Sequence, residues 1–458
     1  MTTTRGEVDF IDETTRDGNQ SLWDATGITT PMILSIAPTM DQVGFKAVTL
    51  AASVLMRLQV RVHRENPWES IRLVAKAMPR TPLTFLTTGR RFLTFTVTPN
   101  SVMALAIERM IANGIRRIWI LETSHEPSFT YQMARTAKAA GAEEVVASLI
   151  YSISPVHTHE YYGEKAREIA KCPDVDSIMI EDVGGLLTPE STRSLIPLIQ
   201  QNAPGLPLEL HGHCNTGLAP LCYLEAVKLG VKGLWTCVSP LANGTSLPST
   251  ENTLRNIRRL GYSANIDDEA LAAMAAHFRN IAQREGRPMG APVEYDVYYY
   301  EHQVPGGMMS TLKRQLSEIG MEQRLDEILE EIIRVRKELG YPVMVTPFSQ
   351  FVGTQATMNI ITGERYKTVP DGVIQFIAGW FGEPPAPVDP KVLDRVTSLP
   401  SAKDILNKEF PQPSVKELRQ QIGAGPEVSD EEFLLRYAMT NKEVDDMLAA
   451  GPIKTQYP

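Results

Sequence analysis

Eight short aliphatic and β-branched runs recur between residues 8 and 238, and a helix-length stretch follows each of them. The runs are Val8–Thr14, Ala47–Ala52, Pro82–Thr88, Arg117–Glu122, Val145–Tyr151, Ser177–Glu181, Pro207–His213 and Gly233–Val238. Apolar strands that alternate with helices are the pattern of a parallel sheet covered by helices. Eight such units within about 250 residues predict an α/β fold, a closed (β/α)8 TIM barrel. The competing arrangement is an open doubly wound sheet. It usually has fewer strands and a glycine-rich turn after the first one, which this chain lacks. A barrel constrains function as well, because the groups that do chemistry sit where its strands end.

Two stretches meet that constraint. Asp12-Glu-Thr-Thr-Arg-Asp-Gly-Asn-Gln-Ser21 follows the first run, and His211-Gly-His-Cys-Asn-Thr-Gly217 ends the seventh. On a strand, His211 and His213 present both imidazoles to one face. The Asp17 carboxylate adds a hard oxygen. Three such ligands around an open position let a divalent metal polarise a carbonyl or enolate. One oxygen and two imidazoles accept Zn²⁺, Mn²⁺ or Co²⁺. Glu181 ends the sixth run, at the same end of the barrel; a structural ion pair to Arg16 is one reading of it. Asp17 in an Asp-Gly turn and hydrogen-bonded interior histidines are the corresponding alternatives for the others. Strand ends one, six and seven converging in a barrel favour the metal. The chain therefore reads as an enzyme acting on carbon–carbon bonds beside a carbonyl.

Composition narrows the class. Of the 458 residues, 43% are hydrophobic and 22% charged, as in ordinary globular proteins. A net charge of −9 argues against a general nucleic-acid binder. No apolar run is long enough to span a membrane, and the first residues lack the apolar core of a signal peptide. Cys172, Cys214, Cys222 and Cys237 have no zinc-finger spacing. The expectation is a cytoplasmic protein with reduced thiols. Past residue 290 the βα alternation stops. Tyr295, Tyr298, Tyr299 and Tyr300 precede Pro305-Gly-Gly-Met-Met-Ser-Thr-Leu312, and Leu325, Ile328, Leu329, Ile332 and Ile333 form a helical apolar stripe. Gly382–Pro390 reads as a linker or rigid turn, and Ser429–Ala450 as one helix capped by Ser429 or Asp430. The expected division is a barrel over residues 1–290 and a mainly helical domain over residues 291–458.

These motifs resemble the carboxyltransferase domain of pyruvate carboxylase. They are also similar to the oxaloacetate decarboxylase α subunit and to the non-biotinylated transferase subunit of transcarboxylase. Arg16-Asp-Gly-Asn-Gln-Ser21 corresponds to the family's Arg-Asp-(Ala/Gly)-His-Gln-Ser, and Glu65-Asn-Pro-Trp68 to its Glu-x-Pro-Trp. Ile180-Glu-Asp-Val-Gly-Gly-Leu-Leu187, Gly244-Thr-Ser-Leu-Pro-Ser249, His302-Gln-Val-Pro-Gly-Gly307, Val345-Thr-Pro-Phe-Ser349 and Phe351-Val-Gly353 match in order. The resemblance implies a TIM barrel with a helical C-terminal domain, in the wider group of HMG-CoA lyase-like metal-dependent barrels. It also implies a homodimer, a small carboxylate substrate, and biotin brought on a separate carrier protein charged by a biotin carboxylase subunit. Ser310 stands where the family's hydroxyl passes a proton between biotin and the enolate, and Gln20 and Arg16 fall in the catalytic motif. The bland alternative for Ser310 is an N-cap for the helix from Thr311.

The departures bear on substrate. The family's carbamylated lysine, which bridges to the metal, is Glu181 here; glutamate carries the carboxylate on a shorter stem, so the resemblance makes Glu181 a fourth candidate ligand. The arginine that clamps the pyruvate carboxylate is Thr88, which has no guanidinium fork. Arg90 and Arg91, two and three residues on, are candidates to bind the substrate anion from another direction; solvated loop charges are the alternative. Cys214, beside His213, is a candidate substrate contact or simply a packing thiol. The expected activity is carboxyl transfer to or from a carbon beside a carbonyl, on a substrate other than pyruvate. The rival is a biotin-independent decarboxylase or aldolase-type lyase that uses the same metal.

Overall fold

The structure, a computed structural model, describes residues 5–457 apart from Phe95 and Asn407; the side chains of Thr88 and Ser310 lie outside the description. Eight parallel strands close a barrel in sequence order: β1 (Asp9–Asp12), β2 (Ala47–Ala52), β3 (Leu83–Thr88), β4 (Ile115–Leu121), β5 (Glu144–Ile150), β6 (Ser177–Asp182), β7 (Leu208–Gly212) and β8 (Gly233–Thr236). β8 pairs with β1 through four residue pairs, Asp9 with Gly233 to Asp12 with Thr236. All eight predicted runs form strands, trimmed or extended by a few residues. The strands are buried almost throughout, which is why their sequences are continuously apolar rather than alternating.

Alternation still sorts them into two cores. Outward residues such as Phe10, Val48, Phe85, Ile118, Val145 and Leu234 pack against the surrounding helices. Inward residues, among them Ile11, Leu86, Trp119, Val146, Met179 and Trp235, share a core with Val304, Leu316, Ile332, Val335 and Phe348. The barrel interior therefore runs directly into the helical region. That region is pinned to loops that follow strands. Ser124 Oγ, after β4, donates to Phe381 O at 2.6 Å. Arg336 Nη2 donates to Ser152 Oγ, after β5, at 2.8 Å. The helix Gly306–Glu318 starts against Thr245, after β8. The helices from 299 to 406 thus cap the C-terminal mouth.

The predicted stripe lies on the helix Leu325–Glu338, with Ile328, Leu329 and Ile332 buried. Residues 382–390 are not a free linker. Ala386 N–H donates to Gly340 O at 3.0 Å and Asp389 N–H to Glu338 O at 2.8 Å, so the turn is laced to that helix. The single helix expected over Ser429–Ala450 is two, Asp430–Ala438 and Asn441–Ala449. Met439 is extended, and Thr440 opens the second helix in a capping box with Glu443. Ser429 does cap the first, accepting from Glu432 N–H. Both helices return to the outside of the barrel, where Trp68 Nε1 donates to Glu431 O at 3.2 Å. No helix among the described residues is long and apolar enough to cross a membrane.

The barrel floor is an ion cluster. Arg117, fully buried, places Nη2 2.6 Å from Glu209 Oε1 and Nε 2.8 Å from Glu144 Oε2. Lys46 Nζ is 2.8 Å from each acid, and Trp235 Nε1 donates to Glu209 Oε2 at 2.8 Å. Burial alone would raise the Glu209 carboxyl, but Arg117 and Lys46 outweigh it and hold the group at about 2. Removing one partner strands a charge in a dry interior. Arg117→Met is expected to cost about 3–5 kcal/mol in urea unfolding; a loss below about 1 kcal/mol would show that the cluster is not a structural support.

Candidate metal centre

Asp17 reaches the mouth because the chain turns sharply after β1. Residues Thr14–Gly18 form one wide π-helical turn, buried throughout. π turns of this kind recur at functional sites. His211 ends β7 pointing inward, and His213, two residues on, shares its face. Asp17 Oδ2 is 3.2 Å from His211 Nε2 and 3.3 Å from His213 Nε2, and the two Nε2 atoms are 3.3 Å apart. Ligands held about 2.1 Å from a common ion at tetrahedral angles stand about 3.4 Å from one another. The triangle therefore has the dimensions of one face of a metal site. Among the described residues it is the only group of three His, Cys, Asp or Glu side chains that comes together in this way.

The surroundings set the protonation. His213 Nδ1 lies 2.7 Å from Thr245 O, so it carries the hydrogen and leaves the Nε2 lone pair facing the centre. Burial lowers the His211 imidazolium to about 4, which keeps this ring neutral. Its plane is fixed by indoles, with centroids 5.3 Å from Trp119 and 5.7 Å from Trp235. Burial would raise the Asp17 carboxyl, but Arg16 and the two imidazoles override it and hold the group well below the carboxylate range. Arg16 Nη1 donates to Asp17 Oδ2 at 2.5 Å, and Ser21 Oγ donates to Oδ1 at 2.8 Å. The guanidinium also sits over Trp119, 5.2 Å from the ring centroid. One ionised oxygen, the neutral His211 nitrogen and the Nε2 of His213, from which a cation would displace a proton, face a common point and fit a divalent cation.

Glu181 stands outside this triangle. It is in register with His211 and buried, and Oε2 has no hydrogen-bond partner. Burial pushes its carboxyl up to about 7. The physical reason for its distance is the one its sequence implies, since a glutamate stem ends well short of a carbamylated lysine. Gln20 is half-buried with Oε1 enclosed and unpartnered, next to the centre in sequence. Arg90 is already committed: it pairs with Glu126, lies 3.6 Å from Glu122, and covers Phe129. Arg91 is the opposite case. It is 2% exposed, its Nε has no partner, no acid among the described residues pairs with it, and burial lowers its guanidinium to about 9. Cys214 is buried, and burial pushes its thiol up, so it stays protonated at neutral pH. Thr88 and Ser310 fall on side chains outside the description; the backbone places Thr88 at the end of β3 and Ser310 in the first turns of the helix Gly306–Glu318. Sequence reasoning missed Thr245, Ser21 and Trp119. Thr245 lay inside a matched motif, but its carbonyl carries no side-chain signal.

Two families match this chain: HMGL-like over residues 7–277 and the conserved carboxylase domain over residues 299–453. A pyruvate carboxylase subunit of Methanocaldococcus jannaschii is 35% identical, across 94% of this chain and 76% of that protein. The chain belongs to the pyruvate carboxylase-type carboxyltransferase family. As such a carboxyltransferase it is an enzyme. It is also 30% identical to the 2-oxoglutarate carboxylase large subunit of Hydrogenobacter thermophilus, over 97% of this chain and 69% of that one. In fold it matches the carboxyl transferase domain of Rhizobium etli pyruvate carboxylase, crystallised with pyruvate, at a TM-score of 0.87 and 22% identity; 97% of this chain and 77% of that chain are covered.

Alanine at Asp17, His211 or His213 is expected to weaken divalent-metal binding by more than about 100-fold in calorimetry. Glu181→Gln is expected to leave it within about tenfold. Metal and proton compete for His213, whose imidazolium is raised because Asp17 and Thr245 outweigh burial. Affinity is therefore expected to rise as pH increases from about 6 to about 8. Unchanged affinity in all three alanine variants would remove the assignment.

Proposed function

We propose that this carboxyltransferase moves a carboxyl group to or from a carbon beside a carbonyl, on a small acid other than pyruvate, with biotin presented by a separate carrier protein. The observation that carries the reading is the Asp17–His211–His213 triangle, set at the barrel mouth under the helical cap. A divalent metal held there would polarise the substrate carbonyl and stabilise enolate charge. Arg16 keeps Asp17 ionised and so keeps the ligand set ready. Gln20 offers an enclosed, unpartnered amide oxygen to a substrate donor. Asp17, His211 and His213 are all buried, which strengthens the charge interactions among them. Ser310 has the donor and acceptor capacity to pass a proton.

One feature supports a substrate other than pyruvate. Thr88 cannot form the bidentate clamp that a carboxylate needs at the end of β3. Arg91, three residues further, is a buried cation with no acid to meet it, and it is the residue we assign to the substrate carboxylate. A charge-assisted contact of this kind is worth about 1.5–3 kcal/mol, so Arg91→Ala is expected to raise KM about 10- to 100-fold. An unchanged KM would sink the assignment. A homodimer in the cytoplasm, served by biotin carrier and biotin carboxylase subunits, belongs to the same reading.

One observation favours a second reading. Glu181 is buried beside the centre, and burial raises its carboxyl to about 7, so a protonated form is available to donate a proton to an enolate without biotin. CO₂ release from a panel of oxo and malonyl acids by metal-loaded protein separates the two. Release that requires free biotin and survives Glu181→Gln supports carboxyl transfer. Release without biotin that falls with Glu181→Gln supports a stand-alone decarboxylase.

A further inference from the structure

Residues 285–298 connect the last barrel helix, Asp268–Arg284, to the cap with neither helix nor strand. The segment is anchored along the mouth. Trp23 Nε1 donates to Pro288 O at 2.7 Å, and Gly290 N–H donates to Pro240 O at 2.8 Å. The Val293 carbonyl lies so close to Gly217 that a Cβ there would come within 2.9 Å. Beyond these anchors, residues 291–297 are exposed at every position. Among the described residues, no backbone N–H of Ala291, Val293, Glu294, Tyr295, Asp296 or Val297 donates within the chain.

The side chains suit a strand. Val293, Tyr295 and Val297 are 38, 52 and 62% exposed and alternate with Glu294 and Asp296. Branched and aromatic residues at every second position favour extended pairing. The open backbone runs to Tyr295; beyond it the Asp296 and Val297 carbonyls accept from the N–H groups of Tyr299 and Tyr300. Such an open stretch beside exposed apolar side chains is a feature that folded proteins usually cover. The charge around it is one-sided. Residues 291–302 hold Glu294, Asp296 and Glu301 and no lysine or arginine. Asp326 and Glu330, on the neighbouring helix Leu325–Glu338, come close enough to act with Glu301 on the Tyr298 hydroxyl.

A second copy of this chain is a poor occupant. Antiparallel pairing about Tyr295 sets Glu294 opposite Asp296 twice, and like charges directly opposed destabilise a ladder. A segment with lysine or arginine at alternate positions meets the same edge with opposite charge. We infer that residues 291–295 are a docking edge for an extended, basic segment of another polypeptide, whose aliphatic residues alternate with lysine or arginine. Binding of this kind draws on main-chain hydrogen bonds and on alternate side chains. The inference does not depend on the reaction proposed above.

The test uses the full chain and a fluorescein-labelled synthetic peptide of alternating valine and lysine. Anisotropy is expected to show saturable binding, weakened at least about tenfold by Glu294→Lys with Asp296→Lys and by raised salt. Tyr295→Pro, which removes a backbone donor without changing charge, is expected to weaken it equally. Slowed hydrogen exchange at residues 291–295 on binding would place the peptide on this segment. These residues are exposed, so unchanged thermal melting confirms that each variant folds. The inference is overturned by no saturable binding, by binding unaltered in the charge-reversed variant, or by binding with no slowing of exchange at residues 291–295. A dimeric mass that becomes monomeric in Tyr295→Pro would also overturn it, since a second copy would then hold the edge.

Discussion

A carboxylate sealed inside a barrel stays ionised only if positive charge or hydrogen-bond donors meet it. Asp17 is such a group, and much of the architecture serves it. The π turn after β1 brings Arg16 and Asp17 to the mouth together. The alternation of β7 delivers two imidazoles to the other side of the same oxygen. Beneath them, Trp119 and Trp235 lie with ring centroids 4.8 Å apart and support His211 from below. Trp235 in turn donates to Glu209 in the ion cluster of the floor. Floor, indole layer and metal triangle form one stack along the barrel. A rotation of His211 would have to displace the indoles, and Trp235 is tied to the floor.

The helical cap completes the site rather than forming a separate body. Its apolar residues share a core with the barrel interior. The helix Gly306–Glu318 can begin beside His213 only because residue 306 lacks a side chain; a Cβ there would collide with Thr245 and Asn215. Thr245 is also the residue whose carbonyl orients His213. The same loop therefore fixes the ligand and receives the cap.

The barrel was legible because parallel strands buried on both faces are apolar runs, and eight of them leave few other topologies. The ligand triangle was legible because His-x-His at a strand end and Asp17 after β1 must converge in a closed barrel. What the sequence could not show was reach. Glu181 points to the interior as expected, yet its short stem leaves it outside the triangle. Arg90 and Arg91 read alike as neighbouring charges, but Glu122 and Glu126, distant in sequence, neutralise only the first. The break at Met439 was hidden because the apolar spacing continues through it, and only Thr440 with Glu443 marks a new start. Backbone partners such as the Thr245 carbonyl leave no trace in residue type.

The most direct test of the account follows deuterium uptake at the carbon beside the carbonyl of a panel of small oxo acids by proton NMR, independent of any carrier. The account predicts exchange in the metal-loaded protein, loss of exchange on chelation, and none in His211→Ala at the same metal concentration. Exchange that persists without metal, or in His211→Ala, would contradict a reaction centred on Asp17, His211 and His213.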